Sequence, residues 1–427
     1  MHQSTLLLLP TASLALWLLY RSIKQKPSFT TAKKETPISD QIHQDITELI
    51  GNTPIIRIKS LSSLLSCNIL AKVEYLNPGG SAKDRVALQI IQDAEDQLKL
   101  TPGSDICIFE GTSGSTGISM CMVAHAKGYH SYIVMPNDVA SEKRLLLERM
   151  GATVELVKPC SIVDPGNFVR VAERRAKEYT EGSLEISSQP KTSSKKPRCG
   201  YFMNQFENPS NLKAHYNHTG PEIYAQTGGK LDAIVHGSAT GGTLAGMTLY
   251  LKPKIPNLKV YLADPPGSGL ANKVNYNVMY SESEKEGKRR RHQIDTIVEG
   301  VGLNRLTKNF SLLFDRNEVK KLRKGDSEVS LSTRMLTTAL NGAFVIPDQK
   351  TIWMSRWLMK HDGLFVGSSS ALNCVAVIEI ARILGPGCTI LTILCDSGQR
   401  HLTKFWNNEW LQKNGFDSDT PEDLSVF

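Results

Sequence analysis

A chain of 427 residues, 40% apolar and 22% charged, can bury a large core and is expected to form one or two globular domains. Its net charge of +8 is a mild excess, much of it at Lys195-Lys196 and in KEGKRRRH (285–292), which reads as solvated loop and not as a nucleic-acid-binding face. The eight cysteines include no C-x-x-C pair and mostly sit in apolar runs, which argues against a zinc site or a disulfide framework and for a reducing compartment.

The first element is STLLLLPTASLALWLLY (4–20), uncharged and followed by Arg21, Lys24 and Lys26. Roughly 17 residues at about 1.5 Å each span roughly 26 Å, close to the hydrocarbon thickness of a thin bilayer. Positive charge after the segment, and none before it but His2, favours an uncleaved anchor over 1–23 with the rest of the chain on the cytosolic side. A short, moderately apolar anchor with a basic flank suits the mitochondrial outer membrane. The alternatives are the ER membrane, or the mitochondrial matrix after cleavage. Residues 24–44, rich in Lys, Thr, Ser and Gln, read as a linker.

From there short apolar runs alternate with helical patterns. Strands are expected at 69–75, 105–111, 132–136, 152–157, 231–237, 258–264 and 389–396, with helices at 84–99, 117–127, 142–150, 166–179, 242–251 and 371–384. That alternation predicts an α/β protein with parallel sheets covered on both faces and ligands at the carboxyl ends of strands. The polar stretches 181–200 and 281–293 are expected to be flexible inserted loops.

Three glycine-rich turns each follow an expected strand and open an expected helix: NPGGSAKDR (77–85), EGTSGSTGIS (110–119) and HGSATGGTLAG (236–246). Such a turn points unpaired backbone N–H groups at the positive end of a helix dipole, a ready seat for carboxylate or phosphate. None matches the dinucleotide or nucleoside-triphosphate glycine patterns. A lysine after a turn is ordinarily just solvated. Beside two anion cradles, however, Lys83 completes what is needed to hold pyridoxal phosphate and present an amino acid to it.

Asn77-Pro78-Gly79-Gly80-Ser81-Ala82-Lys83-Asp84-Arg85 resembles the lysine motif of the cysteine synthase / cystathionine β-synthase family, the fold type II pyridoxal phosphate enzymes. Residues 205–246, CDSGQRHL (395–402) and LFVGSSSALN (364–373) are similar to further motifs of that family, in the family's order. Within it, the apolar N-terminus and the insertions are most similar to a fungal, mitochondrial branch. The resemblance implies two parallel-sheet αβα domains of the tryptophan synthase β type. The larger would combine 45–76 with 211–416, the smaller and mobile one would be 77–210, and 417–427 would be a tail.

The same resemblance implies residue roles. Lys83 would hold pyridoxal 5'-phosphate and shuttle the α-proton. Thr112, Ser113, Gly114 and Thr116 would bind the substrate carboxylate, with Gln205 assisting. Gly237, Ser238, Ala239, Thr240, Gly241, Gly242 and Thr243 would cradle the phosphate, and Ser115 would meet the cofactor's ring oxygen. Ser397 would face the ring nitrogen, where a hydroxyl leaves a weaker electron sink and favours loss of a β-substituent. The implied reaction is O-acetyl-L-serine plus hydrogen sulfide to L-cysteine and acetate, in a homodimer, with no metal and no nucleic acid. Cystathionine formation, serine or threonine deamination, and a membrane-tethered cofactor-binding protein with little turnover are the alternatives.

Two positions depart from the family pattern. Ser115 stands where Asn is usual, and Ala239 where the phosphate turn usually begins with Gly. If position 239 needs a positive φ, alanine costs about 1 kcal/mol. His401, just after the last motif, is a further candidate for the pocket wall.

Overall fold

The computed structural model describes residues 42–427 apart from 99, 103–104, 187–197, 282–295 and 316–337. Its strands, in chain order, are β1 (Ile55–Arg57), β2 (Asn68–Val73), β3 (Ile106–Gly111), β4 (His130–Pro136), β5 (Thr153–Val157), β6 (Cys199–Phe202), β7 (Ala233–Gly237), β8 (Lys259–Asp264), β9 (Gly342–Val345) and β10 (Thr389–Leu394). They form a six-stranded sheet of order β1-β2-β10-β7-β8-β9 and a four-stranded sheet of order β5-β4-β3-β6. Every pairing is parallel except β1 on β2, so the sheets are parallel as expected, with one short antiparallel strand at an edge.

The reason for parallel sheets is visible in the strands themselves. In β10, Ile390 and Leu394 enter one apolar cluster while Leu391 and Ile393 enter the cluster on the opposite face. The same split separates Ala233 and Val235 from Ile234 in β7, and Cys107 and Phe109 from Ile106 and Ile108 in β3. A strand buried on both sides reads as a continuous apolar run, and the crossover helices supply the two covers.

Five helices bear on the site: α1 (Lys83–Leu98), α2 (Ser115–Ala126), α3 (Ser141–Arg149), α4 (Gly242–Leu251) and α5 (Ser368–Leu384). Strand order reverses twice. In the small sheet β3, β4 and β5 run outward and β6 returns to the other side of β3; in the large sheet β7, β8 and β9 run outward and β10 returns between β7 and β2. Crevices open at the carboxyl ends of strands at such reversals. The turns after β3, β6, β7 and β10 therefore converge on ligand space.

Two sequence expectations need adjusting. The polar stretch 181–200 ends inside β6, whose four residues pair with β3. The other stretch, 281–293, lies outside the described residues apart from Ser281. The anchor over 1–23 also lies outside them, as does the linker up to residue 41; among the described residues no helix is long and apolar enough to cross a membrane.

Candidate active site

The lysine turn is built to present one amine. Gly80 takes φ +80°, which glycine adopts without penalty, and its N–H closes the turn on the Asn77 carbonyl at 2.7 Å. Asp84 accepts from the Gly79 N–H at 2.6 Å and from Ser119 Oγ of α2 at 2.5 Å, which ties this turn to the next one. Burial pushes the Asp84 carboxyl up to about 6, against the pull of those hydrogen bonds. Beneath the turn Arg85 grips Glu74 through Nε and Nη2 at 2.8 and 2.9 Å, and Glu222 through Nη1 and Nη2 at 2.6 and 2.8 Å. Among the described residues the Lys83 amine itself has no hydrogen-bond partner. Burial pulls its pKa below the ordinary lysine value, which enlarges the neutral, nucleophilic fraction.

The second turn follows β3 and opens α2. Gly114 sits at φ +144°, and the stem of Lys143 from α3 lies over it so closely that a Cβ would come within 2.5 Å of Lys143 Cδ. The Lys143 ammonium pairs with Glu299, and both line the cleft. Thr116 Oγ1 donates to Gln205 Oε1 at 2.7 Å, so the turn after β6 is locked to the start of α2.

The third turn follows β7 and opens α4. Gly237 N–H donates to Asn373 Oδ1 of α5 at 2.7 Å, and Gly241 takes φ +84° against Phe310. Asn211 Nδ2 donates to Thr240 Oγ1 at 2.9 Å, and a Cβ on Gly242 would collide with Asn211 Oδ1. His215 Nε2 lies 3.0 Å from Thr243 Oγ1. Ala239 is not among the residues of positive φ, so the alanine there carries no left-handed strain.

All three turns open onto one cleft. Of the expected residues, Lys83, Thr112, Ser113, Ser115, Thr116, Gln205, Gly237, Ser238, Ala239, Thr240, Gly241 and Thr243 line it. Gly114, Gly242 and Ser397 do not; the two glycines instead admit Lys143 and Asn211 at close range. His401 stays behind the wall, with Nε2 at 3.0 Å from Asp396.

Sequence reasoning missed several residues of the site. His236, Cys395, Asp396 and Glu299 line the cleft, and Asn373, Asn211 and His215 brace the third turn. Burial takes His236 down to about 3, so it is neutral and can accept from Asn373 Nδ2 at 3.1 Å. All of the missed residues except Glu299 lie inside the stretches 205–246, 364–373 and 395–402, which was the signal that could have found them.

Known proteins give the same architecture a family. The model of the pyridoxal-phosphate dependent enzymes matches residues 46–396. The chain belongs to that family. It is 47% identical over 411 residues to cysteine synthase 2 of Schizosaccharomyces pombe, covering 95% of this chain and 93% of that one. It is 51% identical over 358 residues to cysteine synthase 2 of Emericella nidulans, covering 84% and 78%. A Saccharomyces cerevisiae protein provisionally named a mitochondrial cysteine synthase is 46% identical, covering 91% and 88%. Among crystal structures, the O-acetylserine dependent cystathionine beta-synthase of Helicobacter pylori superposes with TM-score 0.64 at 29% identity, covering 85% of this chain and 98% of that chain.

The cleft of this pyridoxal-phosphate dependent enzyme fits its cofactor. A partnerless, desolvated amine stands ready for an aldehyde, and a glycine turn at the start of α4 offers backbone N–H donors to a phosphate. Ser238 Oγ is buried there without a partner among the described residues, a donor left over for such a group.

Proposed function

We propose that the protein is a cysteine synthase, replacing the acetate of O-acetyl-L-serine by sulfide to give L-cysteine. The observation that carries the reading is the meeting of the Lys83 amine, the 112–116 turn and the 237–243 turn at one cleft. Identities of 47 and 51% to two fungal cysteine synthases support the choice of reaction.

Pyridoxal phosphate, when bound, supplies an electron sink that lets an amino acid lose its α-proton and then its β-substituent. Lys83 would hold that cofactor and, as a neutral amine, would take the α-proton of the substrate. Thr112, Ser113, Gly114 and Thr116 bind the substrate carboxylate at the positive end of α2, Ser115 meets the cofactor's ring oxygen, and Gln205, fixed by Thr116, lines the same side. Gly114 gives that turn its backbone. The turn from Gly237 to Thr243 holds the phosphate, Gly242 letting Asn211 approach. Phe168 and Phe206 add apolar wall, which keeps water from the reacting carbon.

The segment 77–210, which contains the small sheet, closes over the substrate, and the Lys143–Glu299 pair latches the mouth. The chain works as a homodimer, held by residues 1–23 at the mitochondrial outer membrane with the enzyme facing the cytosol. The name of the Saccharomyces cerevisiae relative supports the organelle.

The test is product analysis of the purified, cofactor-loaded protein. O-acetyl-L-serine with sulfide is expected to yield cysteine, serine with homocysteine far less cystathionine, and Lys83→Ala to lower cysteine formation by about 100- to 10,000-fold. Cystathionine as the main product, or ammonia and pyruvate without cysteine, would replace the proposal. An inert protein that still holds cofactor would point to a binding role.

A further inference from the structure

His215 lies wholly buried beneath the third turn. It opens one wide, π-type turn, His215–Thr219, a form frequent at functional sites. Gly246, one turn after Thr243 on α4, lets that helix lie against it: a Cβ there would come within 2.7 Å of His215 Cβ. The imidazole joins two hydroxyls. Nδ1 is 2.9 Å from Thr219 Oγ1, and Nε2 is 3.0 Å from Thr243 Oγ1. Among the described residues neither hydroxyl has another hydrogen-bond partner. Burial holds His215 well below the ordinary histidine pKa, and Lys83, Arg85, His236 and His218 press the same way. The ring is therefore neutral, with one N–H and one bare nitrogen.

A neutral ring can carry its proton on either side, and the two hydroxyls decide between them. With the proton on Nδ1, that N–H donates to Thr219 and Thr243 donates to Nε2. The Thr219 proton is then left in the interior without an acceptor. With the proton on Nε2, Thr219 donates to Nδ1 and the Nε2–H donates to Thr243. The Thr243 proton is then free to point into the cleft, which this residue lines. Only the second arrangement satisfies every buried donor. It also suits an anion seated at the turn, because a phosphate offers strong acceptor oxygens.

We propose that His215, neutral and protonated on Nε2, is a positioning residue that turns the Thr243 hydroxyl toward the cofactor phosphate as a fixed donor. Thr219, His215 and Thr243 form one directed chain of hydrogen bonds running from the interior into the cleft. The proposal rests on the cofactor reading of this cleft.

Equilibrium binding of pyridoxal phosphate, and of pyridoxal, which lacks the phosphate, to the full chain stripped of cofactor tests this without measuring turnover. His215→Leu is expected to weaken pyridoxal phosphate about tenfold and to leave pyridoxal within about twofold of wild type. His215→Gln keeps an N–H within reach of Thr243 and is expected to hold pyridoxal phosphate within about threefold of wild type. In a Thr243→Val background, adding His215→Leu is expected to cost nothing further. Equal weakening of both ligands, or an undiminished loss in Thr243→Val, overturns the proposal. Nitrogen-15 NMR of the histidine-labelled holoprotein, with His215 assigned by its loss in His215→Gln, reads the ring itself. A protonated Nε2 beside a bare Nδ1 is expected; a protonated Nδ1, alone or with Nε2, overturns the proposal. Where His215→Leu does not fold, that spectrum decides. A wild type that binds neither ligand overturns the cleft reading itself, which the other outcomes leave standing.

Discussion

Glu110 shows how a single buried residue couples stability to pH. It lies fully buried in β3, accepts from the Gln205 N–H at 3.4 Å, and has one oxygen, Oε1, without a partner among the described residues. Burial pushes its pKa from 4.5 up to about 8. Below 4.5 both folded and unfolded chains keep the proton, and above about 8 both have lost it. Between those values only the unfolded chain has released it, so stability falls as pH rises. Glu110→Gln removes that slope. Its Tm is expected to gain on the wild type steadily across this window, and a gap independent of pH would contradict the assignment. Glycines at contact points give a second test. Gly242→Ala drives a methyl into Asn211 and is expected to cost about 1–3 kcal/mol in chemical denaturation and to weaken cofactor uptake. Ala239→Gly should stabilise nothing, since alanine there is unstrained.

At the scale of elements, the Lys83 helix is held by buried charge. Arg85 bridges Glu74 and Glu222, and Lys72 of β2 meets Glu222 at 2.8 Å, so one network joins strand, turn and two helices. Burial raises the Glu74 carboxyl, but Arg85 and its hydrogen bonds outweigh that and keep it ionised. Arg85→Ala would strand two carboxylates in the interior, at a cost of about 3–5 kcal/mol. Denaturant titration should show that loss together with faster cofactor release, because α1 carries the lysine. The central strands of both sheets were legible in the sequence because burial on two faces writes them as unbroken apolar runs. Three edge strands were not. β1 has only three residues, β9 four, and β6 four at the end of a polar stretch, with Gly200 pressed against Ala176. The glycine turns were legible as well, since each needs its glycines locally. Their braces were hidden: Asn373, Asn211 and Asp396 reach the turns only because β10 returns between β2 and β7 and because 204–227 crosses beneath α4.

At the scale of the whole molecule, Asp45–Phe427 forms a compact unit that contains every residue lining the cleft. Deleting residues 1–26 is therefore expected to leave kcat/KM unchanged while shifting the protein from the membrane to the soluble fraction. Insoluble or inactive material would mean that the apolar segment packs against the enzyme. If Lys83 takes the cofactor, the bond between them can be trapped chemically. Borohydride reduction of the holoprotein, followed by proteolysis and peptide mass spectrometry, tests it most directly. A single phosphopyridoxyl adduct is expected on the peptide carrying Lys83, lost in Lys83→Ala. An adduct on another lysine, or none, would contradict it.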